Sequence, residues 1–267
     1  MTDDEKFQEI IRDAGVLARR GARGRPPKVA LSPEVAAMLD RVTGPETGDL
    51  PGITPEPAAV TAPPRGEEAP AVYEFDPSED SLVRIAEEVS GCKKCTLCAT
   101  RTRTVPGEGN PEARIVFVGE APGESEDLQG RPFVGRAGKL LTDIIEKGFK
   151  TARTDVFICN VLKCRPPGNR TPAPDEVAKC EPFLIRQLAL IQPRVICALG
   201  GTAAQTLLKT AALVGRLRGS WHNYHGIPLR VTYHPAYLLR NPDSKRECWE
   251  DVKEILRLLD GEIPPPL

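Results

Sequence analysis

The sequence predicts an α/β protein, a three-layer α/β/α sandwich with a central four-stranded parallel sheet, carrying an N-terminal tail that does not pack. Three observations predict it. From residue 82 onward, short apolar runs ending in Gly, Asn or His alternate with helical patterns, the order expected of a parallel sheet covered on both faces. Residues 8–72 contain no Phe, Tyr or Trp, and residues 43–80 hold eight prolines, too little apolar surface to offset the entropy of ordering. The charge divides at the same place: residues 1–81 carry 9 basic against 16 acidic side chains, and residues 82–267 carry 27 against 21. The expected organisation is a disordered or weakly helical Pro-rich tail over 1–81 and one folded domain over 82–267, whose basic excess favours a polyanionic partner.

In the tail, short helical patterns run from Glu5 to Arg20 and from Ser32 to Val42. Between them Arg20-Gly-Ala-Arg-Gly-Arg-Pro-Pro-Lys28 resembles the Arg-Gly-Arg-Pro core of an AT-hook, whose arginines enter narrow A·T-rich minor grooves. A solvated basic patch is the competing reading. The N-terminus lacks the basic-then-apolar order of a secretory signal, and no run of about 18 apolar residues exists. A cytoplasmic monomer without membrane contact is expected, on the nucleoid when bound to DNA.

In the body, Ile115–Val118 ending in Gly119, Val156–Cys159 ending in Asn160, and Val195–Leu199 ending in Gly200-Gly201 are candidate buried strands, and Pro228–Tyr233 is a fourth. Helical patterns fall at Gly138–Gly148, Asp175–Ile191, Thr202–Lys209 and Cys248–Leu259. Ligands of such sheets bind beyond the carboxyl ends of the strands, so Gly119-Glu120, Asn160 and His234 should converge.

Eight cysteines in a reducing compartment are more plausibly thiols or metal ligands than disulfides. Cys92-x-x-Cys95 and the pair Cys164 and Cys180 suit either zinc or an iron–sulfur cluster, and spacing does not choose between them. Cys98 extends the first group to Cys-x-x-Cys-x-x-Cys, while Cys159, Cys197 and Cys248 read as core residues. The long Gly/Pro-rich segment from Gly119 to Gly138 lacks the Lys-Ser/Thr ending of a phosphate loop. Within it Phe133 is placed to stack on a planar ring or to plug the core.

Gly119-Glu-Ala-Pro-Gly-Glu, Gly130-Arg-Pro-Phe-Val-Gly, Asn160-Val-Leu-Lys-Cys-Arg-Pro-Pro and His234-Pro-Ala-Tyr-Leu-Leu-Arg, together with Cys92-x-x-Cys95, resemble the family 4 uracil-DNA glycosylases over about residues 88–258. The resemblance implies an enzyme that flips uracil out of DNA and hydrolyses its N-glycosidic bond, leaving an abasic site for base excision repair, with no lyase step. It implies a [4Fe–4S] cluster on Cys92, Cys95, Cys164 and Cys180, Cys98 being an extra. It implies a uracil pocket of Gly119, Glu120, Ala121, Phe133, Asn160 and His234. His234 would stabilise charge on the departing base, and Asn160 would read its edge. Where superfamily relatives place a water-orienting aspartate this chain has Ala121, so a backbone group, Glu120 or Glu126 is expected to hold the attacking water, and the sequence does not choose among them. Leu238, Leu239 and Arg240 have the composition of a DNA wedge, against a buried start to the next helix. A non-catalytic iron–sulfur DNA-binding module and an electron-transfer protein are the alternatives; neither needs a base pocket.

Overall fold

The computed structural model describes residues 80–264; the tail, including Arg20–Lys28, lies outside the described residues apart from its last two. Those two belong to the body. Ser81 caps the first helix by accepting from the Arg84 amide at 3.1 Å, and Asp80 pairs with Arg186 at 2.7 Å.

Six strands form one sheet: β1 (Glu108–Gly109), β2 (Ile115–Gly119), β3 (Phe157–Asn160), β4 (Val195–Leu199), β5 (Trp221–Tyr224) and β6 (Ile227–Thr232), in the order β1-β3-β2-β4-β6-β5. The four inner strands are the predicted ones and pair in parallel, with Gly119 opposite Asn160 and Leu199 opposite Thr232. The expected sheet of four is corrected to six, because an antiparallel strand is added at each edge. Neither addition has the apolar run of a buried strand. β1 is two residues long, and β5 reads Trp-His-Asn-Tyr, half-exposed. β5 turns into β6 through His225-Gly226, both at positive φ, the geometry of a two-residue hairpin turn with His in a place usually held by Asn or Asp.

The helices are α1 (Leu82–Ser90), α2 (Glu124–Gln129), α3 (Arg136–Asp143), α4 (Pro174–Ile191), α5 (Gly201–Leu208), α6 (Val214–Leu217), α7 (Pro235–Arg240) and α8 (Lys245–Leu259). Alternation along the strands divides the core in two, as a sheet covered on both faces requires. Val116, Val118, Ile196, Ala198, Leu229 and Val231 pack with α1, α4 and α5. Phe117, Ile158, Cys197 and Leu199 pack with α3, α7 and α8. Cys159, Cys197 and Cys248 are buried in these cores, as expected. The turns leaving β2, β3, β4 and β6 therefore carry Glu120, Val161, Gly200 and Tyr233 toward one edge of the sheet.

Candidate functional site

At that edge lies a cavity of about 440 Å³, within the ~300–1,000 Å³ usual for small-molecule sites. Glu120, Ala121, Glu126, Phe133, Asn160, His234 and Arg240 all line it, so the structure brings together most of the residues singled out by sequence. Tyr237, Asn169 and Arg170 line it too and were not foreseen. The last two follow Pro166-Pro167-Gly168 after β3, and only that Pro/Gly-rich turn signal could have drawn notice to them.

Asn160 ends β3 and is 1% exposed, yet its side-chain oxygen Oδ1 has no hydrogen-bond partner. A buried unpaired carbonyl costs about 1–3 kcal/mol, so the atom is set for a donor from outside the chain. Its backbone is fixed by Lys163, fully buried, whose ammonium Nζ donates to the Asn160 carbonyl at 2.8 Å and to Gln187 Oε1 at 2.6 Å. Burial lowers the Lys163 pKa.

Phe133 closes one side. It is 6% exposed and sits at φ +51°, a left-handed backbone that a bulky residue seldom adopts and that signals a position held against local preference. Gly138 in α3 makes this possible, because a Cβ there would lie 1.9 Å from the Phe133 carbonyl oxygen. Gly119, expected to bind ligand, is corrected: it is buried beneath the cavity rather than on its wall. A Cβ on Gly119 would stand 2.3 Å from Asn160 Oδ1 and 2.5 Å from the Phe133 ring, so its contribution is the space that lets the two side chains meet.

His234 is the N-cap of α7, its Nδ1 accepting from the Ala236 amide at 3.1 Å. Burial, with Arg240 acting in the same direction and Glu126 opposing, pushes its pKa down to about 4. The ring is thus neutral near pH 7, and with Nδ1 occupied as acceptor its proton resides on Nε2. Phe133 stands beside it, ring centres 5.6 Å apart.

The two candidate carboxylates differ. Glu126 uses Oε1 to accept from the Val134 and Gly135 amides at 2.8 and 2.9 Å and Oε2 to accept from Gly123 at 3.1 Å. It ties the loop that carries Phe133 and so positions that ring. Among the described residues Glu120 accepts from the Thr202 hydroxyl alone, through Oε2 at 2.7 Å.

Of the three residues expected to form a wedge, the two leucines face inward and Arg240 faces the cavity. Leu238 is 1% exposed within the core of the α3, α7 and α8 face, and Leu239 packs against the same core, because the helical turn of α7 directs both inward. Tyr237 and Arg240 are the exposed side chains of this helix.

Behind α1, a small cavity is lined by Cys92, Cys95, Cys164 and Cys180, and by Cys98. All are free thiols. Among the described residues no three His, Cys, Asp or Glu stand as one metal ion would need; thiolates on a single zinc lie about 3.8 Å apart, from Zn–S bonds of about 2.3 Å. Burial pushes the Cys180 thiol up to about 11 and raises Cys164, so a bound cationic group is needed to keep them as thiolates. Arg101 donates to Cys164 Sγ at 3.1 Å and the Lys163 amide to Cys180 Sγ at 3.3 Å, the outer-shell donors that sulfur ligands attract. With these two donors the four thiols form a soft donor set of the kind that holds an iron–sulfur group.

Residues 106–253 match the family model of the uracil DNA glycosylase superfamily. The chain is 44% identical over 191 residues to the type-4 uracil-DNA glycosylase of Saccharolobus solfataricus, covering 68% of this chain and 88% of that one. Similar enzymes of the same name from Sulfurisphaera tokodaii and Thermotoga maritima are each 47% identical, covering 67% and 69% of this chain and 85% and 97% of theirs.

Proposed function

The chain belongs to the type-4 uracil-DNA glycosylases of the uracil DNA glycosylase superfamily, and from that premise we propose that its cavity takes a uracil extruded from DNA and hydrolyses the bond between N1 and C1′. The observation that carries this reading is the buried, unpartnered Oδ1 of Asn160. Uracil offers an N3–H where cytosine offers a lone pair, so an acceptor at that point favours uracil. The amide nitrogen of Asn160 donates to O4, and Phe133 packs against the ring.

The uridine must leave the stack before the bond is within reach, at a cost of a few kcal/mol. Arg240 at the cavity wall holds the DNA backbone during this step. As the C1′–N1 bond breaks, its electron pair moves onto the base and C1′ becomes cationic. His234 Nε2–H donates to O2 as that charge grows, a contribution worth about 2.7–4 kcal/mol for one such donor. A neutral ring suits this task, since its proton is shared and not lost. Glu120, with Oε1 not engaged, holds the water that adds to C1′; the water's proton leaves to solvent. Hydrolysis leaves an abasic site as the product, the substrate of the later steps of base excision repair.

Cys92, Cys95, Cys164 and Cys180 hold a [4Fe–4S] cluster. When bound it supplies a cross-link between the segment after α1, the loop after β3 and helix α4. We propose with it that the protein acts in the cytoplasm as a monomer. The test is release of the free base from oligonucleotides containing uracil, thymine or hypoxanthine, with an abasic-site oligonucleotide as control. Release from the uracil substrate is expected, and its absence would overturn the proposal.

A further inference from the structure

Tyr237 is the one aromatic among the large hydrophobic side chains that stand exposed in the described residues, at 36%. It is on the cavity wall beside His234 and Arg240. It is also the outer member of a stack. Its ring lies on Tyr233, centres 4.8 Å apart and planes at 23°, and the Arg218 guanidinium covers Tyr233 at 4.5 Å. Arg218 is anchored in turn: Nε donates to Asp251 Oδ2 at 2.8 Å, and Asp251 is 1% exposed and also paired with Arg230 at 3.2 Å. The inner end of the ladder is therefore held by a buried ion pair.

Neither the uracil-reading residues nor the cluster explains this arrangement. An aromatic ring fixed from behind has given up its rotamer freedom before any ligand arrives, and that lowers the cost of stacking a second ring on it. Nucleobases stack on such rings with little regard to sequence, and Leu238, which would have supplied an apolar wedge, is committed to the core.

We propose that Tyr237 is a stacking subsite for the nucleobase adjoining the extruded uridine on the same strand. This rests on the glycosylase reading for its ligand and adds to it a contact that grips DNA independently of uracil. The subsite holds the gap open by its π face rather than by its bulk.

The experiment uses the full-length protein with its cluster. The probes are single-stranded oligonucleotides carrying a tetrahydrofuran abasic analogue flanked on its 5′ or its 3′ side by 2-aminopurine. Wild type should quench the 2-aminopurine in one of the two. Tyr237→Phe and Tyr237→Trp should quench as strongly. Tyr237→Leu, similar in apolar bulk but without a ring, should lose the quenching and bind about tenfold more weakly, within the range of roughly five- to 150-fold that one base–aromatic stack is worth. Thermal melts of the Phe and Leu forms establish that both fold. Quenching and affinity retained by Tyr237→Leu would overturn the proposal, as would equal loss in the Phe and Leu forms. Uracil release is scored in parallel. A wild type that released none would sink the glycosylase reading, whereas quenching that depends on the ring would still support the stack.

Discussion

Adding a single methyl group at Gly119 tests whether the cavity depends on the fit between its two central side chains. The Gly119→Ala Cβ would lie 2.3 Å from Asn160 Oδ1 and 2.5 Å from the Phe133 ring. To reach even 3.0 Å the amide oxygen must retreat by about 0.7 Å and the ring by about 0.5 Å. Retreat of the ring is resisted, because its backbone is fixed by Gly138 behind it and by Glu126 along the loop. Misplacement of a reacting group by about 1 Å costs on the order of a hundredfold in rate, and overpacking costs about 1–3 kcal/mol of stability. Gly119→Ala is thus expected to slow single-turnover uracil excision by roughly thirty- to a hundredfold. The melting temperature should fall by about 2–12 °C, at roughly 2–4 °C per kcal/mol for a body of this size, and the iron content should not change. A variant that excised uracil at the wild-type rate would refute the claim that Asn160 and Phe133 must occupy these positions.

Four further outcomes are expected. His234→Ala should slow single-turnover excision by about a hundred- to a thousandfold, while binding to uracil DNA changes little. With the His234 pKa down at about 4, kcat/KM should stay flat from pH 8 to about 5 and fall below that; a break near 6.5 would mean a solvated ring. The linked stability has the same sign. Between about 6.5 and 4 the unfolded chain takes up a proton that folded His234 resists, so its contribution is complete above 6.5 and is lost as pH falls through that window. Cys164→Ala should lose iron and the broad absorption near 400 nm (about, from thiolate–iron chemistry), and Cys98→Ala should keep both; one zinc per chain and no iron would contradict the cluster. Lys163→Met keeps bulk but leaves the Asn160 carbonyl and Gln187 Oε1 unpaired, and should lower the melting temperature and the excision rate with iron retained, a rate equal to wild type being the contrary result.

What was legible in the sequence is what the core dictates. Three of the four inner strands are continuous apolar runs because both of their faces are buried, the fourth, β6, being interrupted by Arg230, and Gly119, Asn160 and His234 could be placed at or near strand ends from the residues that stop the strands. β1 and β5 escaped for the converse reason: edge strands need no apolar run, and β5 carries a His-Gly turn where Asn-Gly or Asp-Gly would have signalled a hairpin. Helix α2 was hidden inside a Gly/Pro-rich segment; its Glu126 and Asp127 turn inward to hold backbone amides, Asp127 taking those of Thr102 and Arg103. The direction of Leu238 depends on how α7 docks against α3, a tertiary fact that no spacing within His-Pro-Ala-Tyr-Leu-Leu-Arg conveys. The Tyr237–Tyr233–Arg218 stack likewise joins residues whose neighbourhood only the fold creates.

The central claim, that the unpartnered oxygen of Asn160 selects uracil for hydrolysis, is tested most directly by one measurement. Single-turnover base release is followed for wild type and Asn160→Asp on matched oligonucleotides bearing uracil or cytosine at the same position. The account predicts that wild type releases uracil and no cytosine, and that Asn160→Asp, which replaces the amide donor by a second acceptor, releases uracil more slowly and gains release of cytosine. Wild type that releases no uracil, or an Asn160→Asp form whose rate and preference match wild type, would contradict it.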